Sequence, residues 1–336
     1  MNRRFGRRDF LRSSLRAGTG LAAALLLPLP SLASGTRSYL CRAQYVMGTI
    51  VTIEAYGESR SHCNTAMSSA FQELRRLDGL MSVYNPESQL SAVNRLAGRQ
   101  MVPVDQSILD VIHHSRRFHE ISGGVFDITV EPLMRIWGFR GRRSLVRPSE
   151  RELDEARAAV GFCQIEVDEK NRSVGLRHPN AALDFGGIAV GYAVDRVVTI
   201  LKSAGIESAF INHSGDVYAL GAPNESDGWS VGLPDPLDPR RVATTLVLKD
   251  KALSTSALSE KFVEIEGKKL GHIIDPLNGQ PRHDFRSLSV IASTSLEADA
   301  LSTGLFFFKN DWLKGIVTQA KAITVISIDE HGVVTH

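Results

Sequence analysis

The stretch from Leu183 to Asp195, Leu-Asp-Phe-Gly-Gly-Ile-Ala-Val-Gly-Tyr-Ala-Val-Asp, constrains the fold more than any other, because a short apolar run breaks into two glycines and restarts at helical spacing. It reads as a buried strand end, a glycine turn and a helix N-terminus. Glycine lets backbone approach a ligand closely, and the first N–H groups of a helix have no partner within it, so the arrangement can receive an anion. An ordinary strand-to-helix turn has the same pattern, and the stretch alone leaves both readings open.

The N-terminus bounds where the chain works. Arg3, Arg4, Arg7 and Arg8 precede an apolar run from Leu21 to Leu29 and a small-residue site at Ser31-Leu32-Ala33, which together predict an export signal over residues 1–34. Gly6-Arg7-Arg8-Asp9-Phe10-Leu11-Arg12 resembles the twin-arginine type, which carries proteins across already folded. The apolar run is too short and too broken by Pro28 and Pro30 to span a bilayer, and Leu40 before Cys41 does not suit a lipoprotein site. The expectation is a soluble periplasmic protein, residues 35–336, with no stable membrane insertion. A net charge of +2 leaves no basic footprint for nucleic acid. Cys41, Cys63 and Cys163 have no metal spacing; they allow one disulfide at most, and burial as small hydrophobes is the expected fate.

Along the chain, Tyr45–Ala55 alternates at period two and predicts a first strand, while Cys63–Leu80 places Ala66, Ala70, Leu74, Leu77 and Leu80 on one helical face. Asn85-Pro86 puts Tyr84 on a loop. Helices are predicted over Ser88–Ala97, Asp105–Ile121 and from Ser149-x-x-Glu152 to Gly161, and a hairpin about Lys170-Asn171. In Gly124-Val125-Phe126-Asp127-Ile128-Thr129-Val130 an acid and a hydroxyl two residues apart would share a face on a strand. Further strands are predicted at Ala209–Asn212, Trp229–Leu233, Thr244–Leu248, Val263–Ile265 and Leu288–Ala292.

Thr294 and Glu297 form a capping-box pattern that starts the last clear helix near Ser295. Inside it Asp299 and Thr303 stand at i,i+4 among Ala298, Leu301 and Leu305. A carboxylate and a hydroxyl on an apolar helix face are costly unless paired. Their oxygens suit a hard cation such as Mg²⁺, and a local Asp–Thr hydrogen bond would satisfy them as well.

Taken in order, Met47-Gly48-Thr49, Ser82-Val83-Tyr84, Gly124 to Val130, Trp137-Gly138-Phe139, Leu183 to Asp195, Gly215-Asp216, Thr255-Ser256, His272-Ile273-Ile274-Asp275-Pro276 and Ala298 to Thr303 resemble the ApbE family, the FAD:protein FMN transferases. The resemblance covers nearly all of the chain after the signal and rests on order and spacing. It implies an α+β, T-fold-like, two-lobed domain with an FAD cleft. The implied enzyme moves FMN from FAD onto a Ser or Thr hydroxyl of a periplasmic or membrane-bound redox protein and releases AMP, with Mg²⁺. By position, Asp299, Thr303 and the Gly187 carbonyl look like the metal ligands, and Tyr84 like the residue against the isoalloxazine. Met47, Val125, Phe126, Asp127, Asp184, Val190 and Ile273 fall at FAD-contacting positions, and His272 at that of a general base or positioning group.

Three departures stand out. Val190 occupies a position where the family commonly has Lys, so a fixed cation near the cleft is expected to be missing. Ser214 replaces a Gly before Gly215-Asp216, and Ala257 replaces a Gly after Thr255-Ser256. An Mg²⁺-dependent FAD pyrophosphatase and a non-catalytic FAD-binding protein therefore remain as alternatives to the transferase.

Overall fold

The computed structural model describes residues 37–140, 146–224, 226–238, 240–258, 262–282, 287–308, 313, 323–329 and 332–335. The predicted signal and its cleavage site lie outside the described residues, as does most of Gly141 to Arg147, a basic segment with Arg142, Arg143 and Arg147 that reads from sequence as a solvated loop. The strands are β1 (Ser38–Val46), β2 (Thr49–Gly57), β3 (Val102–Pro103), β4 (Ile165–Asp168), β5 (Ser173–Leu176), β6 (Ser208–His213), β7 (Asp216–Leu220), β8 (Trp229–Pro234), β9 (Val242–Leu248), β10 (Lys251–Ala257), β11 (Phe262–Ile265), β12 (Lys268–Gly271), β13 (Ser287–Ala292), β14 (Thr324–Asp329) and β15 (Gly332–Thr335). The helices, numbered over the described residues, are α1 (Arg60–Met81), α2 (Gln89–Arg95), α3 (Gln106–Ile121), α4 (Glu131–Ile136), α5 (Glu150–Ala158), α6 (Ala189–Ser203) and α7 (Ser295–Gly304).

An eight-stranded antiparallel sheet in the order β1-β2-β6-β7-β10-β13-β14-β15 forms the frame. Because successive side chains on a strand point to opposite faces, a central strand can feed two cores. On β7, Tyr218 and Leu220 join the large core with α1, α6 and α7, while Val217 and Ala219 join a smaller one under the β8–β9 hairpin around Trp229. A third cluster, Leu133, Met134, Trp137, Leu153, Ala156, Val263, Ile265 and Ile274, forms the second lobe from α4, α5 and β11. The expected α+β, two-lobed architecture is therefore found.

The helix boundaries follow their caps. Ser88, Asp105 and Thr294 each accept a backbone N–H of the first turn, and Ser149 with Glu152 completes the reciprocal capping box. Asp195 holds α6 against α7: its Oδ1 accepts from Ser295 N at 2.7 Å and its Oδ2 from Leu296 N at 2.9 Å, which places a carboxylate at the N-terminus of α7. Gly191 lets these helices approach closely, since a Cβ there would lie 2.3 Å from Ser295 O.

Several expectations need correction. The strand read over Tyr45–Ala55 is a hairpin: β1 and β2 pair through a two-residue turn in which Met47 has φ 51° and Gly48 φ 80°. That geometry suits the twist of antiparallel strands, and period-two alternation continues through it. Residues 124–130 form turns rather than a strand, and 181–185 joins no sheet. The Asn94 side chain replaces the ladder there, accepting from Leu183 N at 2.7 Å and donating to Leu183 O at 2.9 Å. The cysteines are free; Cys63 is buried, but Cys41 and Cys163 are exposed. Among the described residues, no helix is long and apolar enough to cross a membrane.

Candidate active site

The glycine turn and α7 converge. A Cβ on Gly187 would lie 3.1 Å from Thr303 Oγ1, although the two residues come from different helix ends. Asp299, 5% exposed, stands one turn before Thr303 on α7, and its Oδ2 accepts from Gly191 N at 2.9 Å. The first turn of α6 thus already holds an anion, and it is the protein's own carboxylate. Of the N–H groups at the start of α6, that of Gly191 therefore positions Asp299. A carboxylate and a hydroxyl thus stand one turn apart on α7 against the glycine turn, oxygen donors of the kind a hard divalent cation takes.

Behind Thr303 runs a row of hydroxyls. Ser302 Oγ lies 3.1 Å from both Ser254 Oγ and Ser256 Oγ, and Ser256 Oγ lies 3.5 Å from Thr303 Oγ1. Burial pushes the Asp216 carboxyl up to about 7, against the Ser254 hydroxyl and the Thr255 amide, which pull it down. Asp216 begins β7 directly across from His213 on β6. Asp216 and Ser256 enter the sequence motifs without a role, and Ser254 and Ser302 carry none there. The signal for Ser254 and Ser256 was the spacing Ser254-Thr255-Ser256, which puts two hydroxyls on one face of a strand.

His213 is 1% exposed, and neither ring nitrogen has a hydrogen-bond partner among the described residues. Burial pushes its pKa down from 6.5 to about 4, so it is neutral in the folded protein. Between those values the unfolded chain binds a proton that the folded chain refuses. Stability therefore falls as pH drops from 6.5 to about 4, and the loss is complete below that. His213→Leu should remove a loss on the order of 3 kcal/mol. Denaturant midpoints at pH 4.5 and pH 7.5 check it: the variant should gain on wild type at the acid pH, and an equal difference at both would contradict the assignment.

A second cluster links the exposed ring of Tyr84 to the glycine turn. Asp184, buried, accepts from Gly186 N at 2.7 Å through Oδ1, and its amide donates to Ile128 O at 2.7 Å. Arg140 donates through Nε to Asp184 Oδ2 at 2.9 Å, through Nη2 to the same oxygen, and through Nη1 to the Tyr84 hydroxyl. Val190, half-buried against the main core, brings no charge, as expected; a cation reaches the Asp184 end of the glycine turn from outside the motif, on Arg140. No spacing rule marks an arginine after Trp137-Gly138-Phe139.

The segment Val125-Phe126-Asp127 is wired to both clusters. Phe126 packs where a Cβ on Gly304 of α7 would lie 3.0 Å away. Asp127 Oδ1 accepts from Thr129 N at 2.8 Å and Thr129 Oγ1 at 2.6 Å, so the acid and hydroxyl expected to share a strand face pair within a turn instead. His119 Nδ1 lies 3.3 Å from Asp127 Oδ2 and 3.0 Å from Phe126 O. The Asp127 carboxylate raises the His119 pKa against the effect of burial. Met47 is placed by packing on the main core and by its N–H to Asp78 Oδ2 at 3.1 Å. His272, half-buried, and Ile273, buried, open a hairpin joined by Gly271 N to Arg282 O at 2.8 Å and Arg282 N to Ile273 O at 3.0 Å. Trp137 Nε1 donates to Gly279 O at 2.7 Å and ties that hairpin to the segment carrying Arg140.

Residues 47–326 match the model of the ApbE family. This chain belongs to the ApbE family. It is 31% identical over 265 residues to an FAD:protein FMN transferase of Klebsiella pneumoniae, covering 78% of this chain and 80% of that one. An FAD:protein FMN transferase of Escherichia coli K12 is 30% identical over 260 residues, 76% of this chain and 74% of the relative. Among solved structures, the ApbE protein of Thermotoga maritima superposes with a TM-score of 0.80 at 30% identity, covering 89% of this chain and 96% of that one. The flavin transferase ApbE of Vibrio cholerae gives 0.78 at 25% identity, covering 89% and 97%. The ApbE fold thus accounts for the sheet, its helix layer and the second lobe.

Proposed function

We propose that this ApbE protein is an FAD:protein FMN transferase that works in the periplasm after removal of residues 1–34. Its acceptor is a Ser or Thr hydroxyl on a periplasmic or membrane-bound redox protein. The observation that carries this reading is the meeting of Gly187 with Thr303 one turn from Asp299, which sets a glycine turn against a helix face carrying a hydroxyl and a carboxylate. Those residues would hold Mg²⁺, which when bound offsets negative charge on phosphoryl oxygens.

In the reaction the acceptor oxygen bonds to the FMN-side phosphorus, the bridging P–O bond to the AMP phosphate breaks, and the hydroxyl proton leaves. His272 takes that proton or fixes the hydroxyl. The exposed ring of Tyr84 offers a face for the isoalloxazine, and Met47, Val125, Phe126, Asp127, Asp184, Val190 and Ile273 form the walls around the dinucleotide. Because phosphoryl transfer depends mostly on placement and charge, this division of labour requires no strong base.

The test is product analysis with FAD and Mg²⁺, with and without an acceptor domain. AMP formed only with acceptor is the expected result. AMP and FMN formed equally without it would make the protein an FAD pyrophosphatase, and FAD bound but intact in both would make it a binding protein.

A further inference from the structure

Arg140 is held unevenly. One edge of its guanidinium rests on Asp184, which the Gly186 and Ile128 backbone fixes in place. The other edge rests on the hydroxyl of Tyr84, a turn residue that is 70% exposed, with Cζ 4.9 Å from the ring centroid. The Arg140 side chain itself is 14% exposed, and Nη2 lies 3.8 Å from where a Cβ on Gly186 would be, over the turn that lets a ligand approach backbone. A neutral phenol is a weak partner for a guanidinium; a phosphoryl oxygen pairs with it through charge-assisted bonds of the right geometry. The surroundings also call for a cation. Asp127, Asp184 and Asp299 are all buried carboxylates, and a diphosphate entering beside Asp184 would meet like charge. Burial opposes the Arg140 charge, but Asp184 and Tyr84 raise its pKa above the ordinary value.

We propose that Arg140 is the residue that recognises the diphosphate of the dinucleotide: Asp184 aims the guanidinium, and a phosphoryl oxygen takes the edge that now rests on Tyr84, leaving that ring to stack on the flavin. The inference rests on the reading of the site as an FAD site and adds the residue that would distinguish FAD from unphosphorylated riboflavin.

The test compares the binding of FAD, ADP and riboflavin to wild type, Arg140→Gln and Arg140→Lys, without metal, at low and high salt. Arg140→Gln should weaken FAD and ADP about 10- to 100-fold, the range for a lost charge-assisted pair, and leave riboflavin unchanged. Its residual FAD binding should also depend less on salt than that of wild type. Equal loss of FAD and riboflavin would overturn the proposal and reduce Arg140 to a prop for Tyr84; no loss of any ligand would overturn it as well. If Arg140→Gln fails to fold, Arg140→Lys decides in the same way, because it keeps the charge and the stem but loses the fork. A wild type that binds neither FAD nor riboflavin would sink the FAD reading and this inference together, whereas a wild type and Arg140→Gln that bind FAD equally would sink only the inference.

Discussion

Asp299→Asn should leave the fold intact and cut Mg²⁺-dependent turnover by more than the ~10- to 100-fold that loss of a supporting partner costs a metal site. On the proposed reading the Asp299 carboxylate serves two purposes, and the two effects then separate. Its Oδ2 accepts from Gly191 N at 2.9 Å, and an amide oxygen can do the same. What the amide cannot supply is the negative charge that draws a hard cation to the Thr303 hydroxyl and Gly187 carbonyl. Asp299→Ala is the less informative change, since it also leaves the Gly191 N–H without its acceptor in a buried place. Thermal unfolding and Mg²⁺ titration of turnover on the same preparation check the prediction. Full activity in Asp299→Asn would remove Asp299 from the metal site; loss of activity that merely follows loss of fold would make its role structural.

Gly191→Ala should lower stability by about 3 kcal/mol or more, among the larger costs of a single overpacking change. The added methyl would lie 2.3 Å from Ser295 O and 2.7 Å from Leu296 Cα, which are backbone atoms and cannot rotate away. Nor can α7 retreat freely, because Asp195 holds the amides of Ser295 and Leu296. Either the cap breaks or α6 and α7 separate, and separation carries Asp299 and Thr303 away from Gly187. Activity should therefore fall with stability. Denaturant unfolding and turnover would show both; an alanine variant as stable and active as wild type would mean that the two helices do not meet as described.

The same pair of helices shows what a sequence can and cannot disclose. Caps and spacing are local: Ser88, Asp105, Ser149 and Thr294 announce helix starts, and the i,i+4 placement of Asp299 and Thr303 follows from helical geometry alone. That the Asp299 carboxylate answers the α6 N-terminus is a contact between residues 108 apart, and nothing in either segment marks it. The Met47-Gly48 turn is hidden for a different reason. A two-residue hairpin preserves period-two alternation, and Met47 takes a positive φ that a side chain seldom adopts. Arg140 is invisible in a third way, since an arginine at the edge of a basic segment reads as solvated until the fold brings Asp184 and Tyr84 to it. The family motifs nonetheless located Tyr84, Asp184, Gly187, Asp299 and Thr303 as site candidates, and the structure gathers them into two adjoining clusters around one glycine turn.

Whether this ApbE protein transfers FMN is tested most directly by the intact mass of a flavin-accepting redox domain after incubation with the enzyme, FAD and Mg²⁺. The expected result is a mass increase equal to one FMN phosphoester, absent when the acceptor Ser or Thr is replaced by Ala and absent with Asp299→Asn. An acceptor whose mass is unchanged while FAD is consumed, or while FAD stays bound and intact, would contradict it.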